Sequence, residues 1–225
     1  MRVYLFDWDG TLLNNMVIWH ETVGRLFQKY GKKSLTPSVS DFFRELDTYK
    51  GDYYQIYRTR GINASREEVN ATFTIIFKEL LAQPELQLTA NARYTLRMLY
   101  GNGVTLGLIT TQLEDIVMPL LERFELLPFF QYLRFHAIDK KKDIKEVLDE
   151  EGARCRECYY VGDAPSDVRH ANNAGVVSVA YLGGYIPEAL VMAAKPQRTI
   201  KDFRELLLFV QKPRHGGVFL IVQIF

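Results

Sequence analysis

Short runs of apolar residues alternate with stretches of helical periodicity along most of this chain of 225 residues. The first run, residues 3–6, is typical of a strand that is buried on both faces of a parallel sheet. Later apolar runs predict strands over 104–109, 132–138, 159–161 and 176–182, and helical spacing predicts helices over 90–100, 114–124, 142–151, 167–173 and 202–210. Pro119 is expected to kink or break the second of these helices. The repeated strand-then-helix units predict an α/β fold, a doubly wound parallel sheet with right-handed crossovers.

A different pattern interrupts this alternation after the first strand. Residues 14–86 contain no convincing buried strand, and their apolar positions follow helical spacing instead. The first helix is predicted over 17–30, with Gly31 as its C-terminal stop, and Ser65-Arg66-Glu67-Glu68 is a capping box that begins another. We therefore expect an α/β core formed by residues 1–13 and 87–211, with an all-helical insertion at 14–86.

The last residues fit neither pattern. The stretch 213–217 is typical of a loop, and the eight residues that follow are almost wholly apolar. An edge strand, a cover over the core, an oligomer contact and a disordered end are the alternatives for this segment. Residues 212–225 therefore remain an apolar tail without an assigned role.

Composition and charge exclude several classes of partner. Hydrophobic residues at 48% and charged residues at 24% are ordinary for a soluble globular protein. The net charge is +1 and the basic residues are scattered, which argues against nucleic acid as the main partner. The chain enters a strand without a signal peptide, and no apolar stretch reaches membrane-spanning length. We expect a cytoplasmic protein that does not contact a membrane.

The only two cysteines, Cys155 and Cys158, form a single C-x-x-C. Zinc sites of this type need a second pair or histidines at ligand spacing, and neither is present. A redox motif opens a helix after a strand, whereas this pair precedes a predicted strand. We expect two reduced thiols in a loop.

Carboxylates stand at the ends of two predicted strands. Asp7 and Asp9 follow the first strand, and their period-two spacing points both side chains to the same side. Asp163 follows the strand over 159–161, and Asp167 comes four residues later. If these strands are neighbours, the carboxylates converge where open α/β sheets bind ligands, and they repel one another unless a cation is present. Such an all-oxygen ligand set suits Mg²⁺, which favours sites that also bind phosphate.

Two further stretches have chemistry suited to phosphate. The strand over 104–109 ends in Thr110-Thr111, whose hydroxyls and backbone amides can bind phosphate oxygens. Beyond the strand over 132–138 lies Lys140-Lys141-Lys142, a cationic cluster that can offset the charge of a substrate dianion.

Together these stretches resemble the motifs of the haloacid dehalogenase superfamily of aspartyl phosphotransferases. The matching residues are Asp7-Trp8-Asp9-Gly10-Thr11, then Thr110, then a lysine, then Gly162-Asp163-(x3)-Asp167. The resemblance covers most of the chain apart from the tail. The insertion just after the first motif resembles the small α-helical cap subclass, which includes phosphoglycolate phosphatase-like enzymes. The resemblance implies a Rossmann-like core with residues 14–86 as its cap.

The resemblance also implies catalytic roles. Asp7 would be the nucleophile that forms an aspartyl-phosphate, and Asp9 would be first the general acid and then the general base. Thr110 would bind the transferring phosphoryl group. Lys141 is the favoured lysine for holding Asp7 and the phosphate, and its two neighbouring lysines stay as alternatives. Because dehalogenases need no general acid at the second aspartate, the Asp9 carboxylate favours a phosphatase.

For the metal, the resemblance implies Mg²⁺ bound by Asp7, by the carbonyl oxygen of Asp9 and by Asp163. Asp167 would be a ligand through water or the partner of the lysine. A role as the N-cap of its own helix is the structural alternative for Asp167.

Substrate contacts are expected from both parts of the chain. Gly10, Thr11 and Thr111 would contribute them from the core. Lys50 and Tyr53 lie where related caps carry a specificity loop, and a lysine beside tyrosines favours a small anionic or polar leaving group. Packing of the cap's own helices is the alternative for these two residues.

We therefore expect a Mg²⁺-dependent phosphatase, a monomer or homodimer, that acts on a small phosphorylated metabolite. A sugar-phosphate mutase and a phosphonate hydrolase of the same fold are alternatives, and the latter needs a Schiff-base lysine, for which Lys50 is the candidate. A non-catalytic binding protein on this scaffold is the alternative from a different class.

Overall fold

The computed structural model describes residues 2–33, 38–48 and 52–210, and the apolar tail at 212–225 lies outside them. Six strands form one parallel sheet in the order β3-β2-β1-β4-β5-β6. The strands are β1 (Val3–Phe6), β2 (Thr105–Ile109), β3 (Tyr132–Arg134), β4 (Cys158–Gly162), β5 (Val177–Tyr181) and β6 (Arg198–Ile200). Apolar residues of the sheet pack against helices on both faces, in two separate hydrophobic clusters. The prediction of a doubly wound parallel α/β sheet is confirmed.

Nine α-helices lie in the described part of the chain. The first four, which follow β1 directly, are α1 (Met16–Lys29), α2 (Val39–Thr48), α3 (Tyr53–Thr59) and α4 (Arg66–Leu81). The others are α5 (Ala92–Gly101), α6 (Glu114–Arg123), α7 (Lys140–Glu151), α8 (Pro165–Ala174) and α9 (Glu188–Ala193). Short 3-10 helices span Leu127–Phe129, Cys155–Glu157 and Phe203–Phe209. Within the described ranges, no helix is both long enough and apolar enough to cross a membrane.

Helices α1 to α4 form a unit that we call the helical insertion. It has a hydrophobic cluster of its own, in which α1 and α4 contribute the buried side chains of Leu26, Phe27, Val69 and Leu80. The Ser65 hydroxyl accepts a hydrogen bond from the N–H of Glu68, as the capping-box pattern predicted. The helical insertion therefore buries apolar surface independently of the sheet. The predicted division into core and cap stays a prediction.

The structure differs from the predicted elements in the part of the chain that follows β2. β3 ends at Arg134 because the chain turns away at His136, which has a φ of 51°. The helix predicted over 202–210 is present as a 3-10 helix, Phe203–Phe209. The edge strand β6 and the short α9 were not predicted. Pro119 does not break α6, whose buried residues Ile116, Val117, Leu120 and Leu121 anchor both sides of the proline.

The sheet order places β1 between β2 and β4. Phe6 pairs with Val161 of β4 and with Leu108 of β2, so the carboxyl ends of all three strands are level. Strand order reverses between β1 and β4, and that crevice is where open α/β sheets bind ligands. β1 and β4 are neighbours, which is the condition under which the sequence predicts that their carboxylates converge.

Candidate active site

Three carboxylates meet beyond the carboxyl ends of β1 and β4. One oxygen each of Asp7, Asp163 and Asp167 lies within 4.8 Å of the other two, and all three side chains are buried. Asp7 follows β1 directly, Asp163 follows β4, and Asp167 lies in the first turn of α8. We call these three residues the acidic cluster.

The turn after β1 holds Asp163 in place. Gly10 has a φ of +73°, and a Cβ at this position would lie 2.4 Å from Oδ2 of Asp163. Because only glycine avoids both problems, the close approach of this turn to the carboxylate requires it. The buried hydroxyl of Thr11 donates to Oδ1 of Asp163 over 3.0 Å. Substrate contact by Gly10 and Thr11 stays a prediction, while this structure uses the Thr11 hydroxyl to orient Asp163.

Lys140 is the cation that pairs with the acidic cluster. Its Nζ donates to Oδ1 of Asp7 over 2.7 Å and to Oδ1 of Asp167 over 2.8 Å, and its side chain is only 7% exposed. Burial alone would lower the pKa of Lys140, but Asp167 and Asp7 outweigh it and raise that pKa well above its ordinary value. Lys140 therefore carries its charge at neutral pH.

The lysine that we favoured from the sequence, Lys141, does not occupy this position. α7 begins at Lys140, two residues before the predicted start, and Lys140, Ile144 and Val147 form its buried face. Residues three and four apart share a helix face, so Lys141 lies about 100° around the helix from this contact. The apolar spacing of Ile144 and Val147, continued back by one turn, was the signal that could have identified Lys140.

One lysine does not balance the acidic cluster, because the three carboxylates and Lys140 together carry a charge of −2 when every group is ionised. Burial raises the pKa of Asp7 to about 7, against the opposing effect of Lys140. Burial, with Asp167 and Asp7 nearby, also raises the pKa of Asp163 well above its ordinary value. Among the described residues, Oδ2 of Asp163 is buried without a hydrogen-bond partner. A second cation beside Asp163 would satisfy that oxygen and reduce the excess charge.

Asp9 is separate from the acidic cluster and is held by two amide groups. Nδ2 of Asn15 donates to Oδ1 of Asp9 over 2.5 Å, and Nε2 of Gln112 donates to Oδ2 over 2.7 Å. Burial raises the pKa of Asp9, and these two hydrogen bonds oppose that effect. The carboxylate lines the same cavity as Asp7.

The two threonines after β2 differ in their exposure to the cavity. The hydroxyl oxygen of Thr110 is buried and accepts a hydrogen bond from the N–H of Gln112 over 3.1 Å. Thr111 is exposed and lines the cavity. Phosphoryl binding by this pair stays a prediction, and Thr111 is the member that reaches the cavity wall.

A cavity of about 580 Å³ lies between the acidic cluster and the helical insertion. On the insertion side, Trp19 and Tyr53 line it with rings whose centroids lie 5.1 Å apart. Burial, together with the charges of Asp9 and Asp7, raises the pKa of Tyr53 above its ordinary value. The predicted residue Tyr53 is therefore brought to the site, whereas Lys50 lies outside the described residues.

An arginine that we did not single out also lines the cavity. Arg66, the first residue of α4, donates from both terminal nitrogens to the two oxygens of Asp52, each over 3.1 Å. Its guanidinium lies 4.6 Å from the centre of the Tyr54 ring. Asp52 also accepts from the N–H of Tyr54 as the N-cap of α3. Arg66 is thus held at the start of its helix, where our sequence analysis considered only a capping box.

Asn15 and Gln112 were also missed. Both are amide residues in short connections after strands, where neither helical nor strand periodicity applies. Their adjacency to Asp-Gly-Thr and Thr-Thr in the sequence was the available signal, because side chains beside strand-end residues are well placed to contact them.

Comparison with known proteins yields one matching family. A sequence model of the family described as "Haloacid dehalogenase-like hydrolase" matches residues 4–181 of this chain. A protein of Pseudomonas putida named phosphoglycolate phosphatase is 27% identical over 96% of this chain and 82% of its own length. Another of that name, from Vibrio parahaemolyticus, is 25% identical over 92% of this chain and 95% of its own length.

Solved structures show the same fold. The crystal structure of a predicted phosphoglycolate phosphatase from Haemophilus somnus has a TM-score of 0.78 at 19% identity, over 94% of this chain and 98% of that one. The crystal structure of a mutant of CbbY from Rhodobacter sphaeroides, in complex with xylulose-(1,5)bisphosphate, has a TM-score of 0.75 at 19% identity, over 92% of this chain and 96% of that one. At this level of identity the likeness concerns the fold alone.

Proposed function

Since this chain belongs to the haloacid dehalogenase-like hydrolase family and is a phosphatase of that family, we propose that it hydrolyses a small phosphate monoester through an aspartyl-phosphate on Asp7. One observation carries the proposal. A buried carboxylate at the end of β1 is paired with Lys140 and lies within 4.8 Å of two further carboxylates, at the floor of a cavity. This arrangement provides a nucleophile, fixed positive charge and room for a substrate in one place.

The acidic cluster fits Mg²⁺ as the metal of this reaction. Asp7 and Asp163 would hold the ion with the Asp9 carbonyl oxygen, and the unpaired Oδ2 of Asp163 is the atom that most requires a cation. Asp167 accepts hydrogen bonds from Lys140 and from the N–H of Ala164, so its direct contacts favour the part of lysine partner and helix cap. When bound, Mg²⁺ supplies charge neutralisation for the phosphoryl oxygens and for the carboxylates around them.

The side chains of Asp7 and Asp9 carry out the bond-forming and proton-transfer steps of this reaction. An oxygen of Asp7 attacks phosphorus as the bond from phosphorus to the leaving oxygen breaks, and Asp9 gives that oxygen its proton. A water then attacks the aspartyl-phosphate, Asp9 removes its proton, and the bond to Asp7 breaks to release phosphate. Lys140 stabilises the negative charge that accumulates around Asp7 in both steps.

We infer that the helical insertion is the cap of this enzyme. Trp19 and Tyr53 present aromatic surface to the cavity, which limits water near the reacting atoms. Arg66 lies on the same wall as one half of an ion pair with Asp52, and the polar groups of this pair support a leaving group that carries an anionic or polar substituent. Phosphoglycolate, which the names of the relatives specify, has such a substituent and is the first ester to test.

The test is phosphate release from a panel of small phosphate esters, with Mg²⁺ or with EDTA. We expect turnover by the wild type in Mg²⁺, loss in EDTA, and a fall of at least about 10³-fold for Asp7→Asn, because no other group forms the phosphoenzyme. Asp149→Asn, on the exposed face of α7, is the matched control and should retain wild-type activity. A folded wild type that releases no phosphate from any ester in Mg²⁺ contradicts the proposal, and the mutase, phosphonate and binding-protein alternatives would then be tested first.

A further inference from the structure

We propose that Asn15 and Gln112 are positioning residues, which together fix the Asp9 carboxylate in the orientation required for proton transfer to the leaving group. The inference rests on the proposed function, since it assigns Asp9 the acid role. Its basis is geometric: each oxygen of Asp9 accepts a hydrogen bond from a different side-chain amide, at 2.5 Å from Asn15 and 2.7 Å from Gln112.

The orientation of the Asn15 amide is determined by its second contact. Oδ1 of Asn15 accepts a hydrogen bond from the N–H of Gly10 over 3.1 Å, so its Nδ2 is the atom that faces Asp9. A flipped amide would place its oxygen against the carboxylate and its nitrogen against a backbone donor. Asn15 is fully buried, which leaves no water to compensate for either loss.

Gln112 approaches Asp9 from the other side and from a rigid backbone. Its N–H donates to the hydroxyl of Thr110, and its carbonyl oxygen accepts from the N–H of His136 over 2.7 Å. The side chain, 9% exposed, extends from this anchored backbone to Oδ2 of Asp9. The end of β2, which carries the predicted phosphate contacts, is thus connected directly to the general acid.

With both oxygens engaged by donors on separate elements, the carboxylate of Asp9 cannot rotate about its terminal bond without losing a contact. The remaining lone pairs therefore have fixed directions, and Asp9 lines the cavity where the leaving oxygen must lie. A proton donor that is already held in the reactive orientation loses no conformational entropy in reaching it. A small misplacement of such a group costs about 10²-fold in rate. The alternative is that the amides only satisfy the hydrogen-bonding capacity of a half-buried carboxylate.

Dependence on the leaving group separates these two explanations. An alkyl phosphate needs a proton on its leaving oxygen, whereas 4-nitrophenolate leaves readily as an anion. kcat/KM reports events up to the release of the leaving group and therefore excludes the later hydrolysis of the phosphoenzyme. A residue that positions Asp9 affects kcat/KM for the alkyl ester far more than for the aryl ester, whereas general damage to the site affects both equally.

The experiment compares kcat/KM of Gln112→Met for 4-nitrophenyl phosphate and for the alkyl phosphate that the wild type hydrolyses fastest. We expect a loss of about 10- to 100-fold with the alkyl ester and less than about threefold with the aryl ester. Gln112→Asn, whose amide is one methylene too short to reach Asp9, should give the same selective loss if the methionine variant does not fold. Gln87→Met, at an exposed glutamine, is the matched control for both esters.

Two results would overturn the inference: equal losses on the two esters, or no loss on either. Asp9→Asn serves as the reference, since it should give the strongest selective loss. Equal activity of Asp9→Asn and wild type on the alkyl ester would instead show that Asp9 is not the acid, so the proposed function and the positioning role would fail together. Selective loss for Asp9→Asn without selective loss for either Gln112 variant rejects the positioning role alone.

Discussion

Lys140 bridges Asp7 and Asp167, so one side chain both pairs the proposed nucleophile and holds a neighbouring carboxylate. Lys140→Met retains most of the buried stem but removes the charge. We expect kcat/KM to fall about 10²- to 10³-fold, the loss typical of removing one electrostatic contact from a transition state.

Its neighbours provide the matched controls. Lys142 forms a solvent-exposed pair with Glu146, at 3.6 Å, and Lys141 lies off the buried face of α7. Lys141→Met and Lys142→Met should remain within about threefold of wild type, since exposed pairs contribute little. Steady-state kinetics on folded proteins, verified by circular dichroism, decides between the three lysines. A larger loss for Lys141→Met than for Lys140→Met would instead identify Lys141 as the lysine that holds Asp7.

The ionised carboxylate of Asp163 should lower the free energy of unfolding of the metal-free protein. Its folded-state pKa is raised, so its contribution to stability is fully present below the unfolded pKa and is lost as pH rises through the folded value. Asp163→Asn removes that charge and keeps an oxygen for the Thr11 hydroxyl. At pH 8 without metal we expect a gain of about 1–2 kcal/mol in the free energy of unfolding, which raises Tm by about 2–8 °C in a protein of this size.

The gain should be smaller at pH 5 than at pH 8, because the raised pKa of Asp163 favours its protonation in the folded wild type as the pH falls. Thermal melts of both proteins at the two pH values, in EDTA and in Mg²⁺, measure it. Mg²⁺ should stabilise the wild type and have little effect on the variant, because the variant lacks the unpaired oxygen. Asp149→Asn controls for charge alone. A lower Tm for Asp163→Asn at pH 8 in EDTA would contradict this account of the acidic cluster.

Helix α4 is attached to the core through α6. Arg123 of α6 donates to the carbonyl oxygens of Leu81, Gln83 and Pro84, just where the helical insertion rejoins the core. Nearby, Nζ of Lys78 lies 2.6 Å from Oδ2 of Asp115. These contacts fix the end of the helical insertion relative to the sheet.

Arg123→Met should loosen that attachment. Three carbonyl contacts to one guanidinium, partly exposed to solvent, are expected to contribute about 1–3 kcal/mol together. We expect faster amide hydrogen exchange over residues 82–88 and a KM raised a few-fold with kcat less affected. Arg97→Met, an exposed arginine on α5, is the control. Unchanged exchange in Arg123→Met would show that packing alone holds this junction.

The elements that could be predicted from the sequence are those with a continuous run of apolar residues. β1, β2, β4 and β5 are buried strands, and their runs identified them to within about a residue or two. β6 has only three residues, of which Arg198 and Thr199 are exposed, so it offers no such run. α9, six residues long, does not complete two helical turns, so it shows no repeated amphipathic pattern. The order of the strands in the sheet brings Asp7 and Asp163 together, so this contact could be predicted. The amides that hold Asp9 lie in loops, and the course of a loop leaves no hydrophobic periodicity in the sequence.

At the scale of the whole molecule, the near-neutral net charge of +1 conceals a strongly acidic cavity floor. The described groups there are the acidic cluster, Asp9 and Lys140, so a phosphate dianion entering without a metal meets net negative charge. Mg²⁺ and phosphate should therefore bind with positive coupling, each raising the affinity for the other by the same factor.

Calorimetric titration of inorganic phosphate, with and without saturating Mg²⁺, measures that factor, and the reverse titration checks it. We expect at least about tenfold, equivalent to about 1.4 kcal/mol. Asp163→Asn should reduce the coupling from both sides, because it removes one repelling charge from the metal-free site and one oxygen from the metal-bound site. Phosphate affinity that is independent of Mg²⁺ in the wild type would mean that Lys140 and the backbone amides after β2 offset the charge of the dianion unaided. The metal would then have no electrostatic part in holding phosphate.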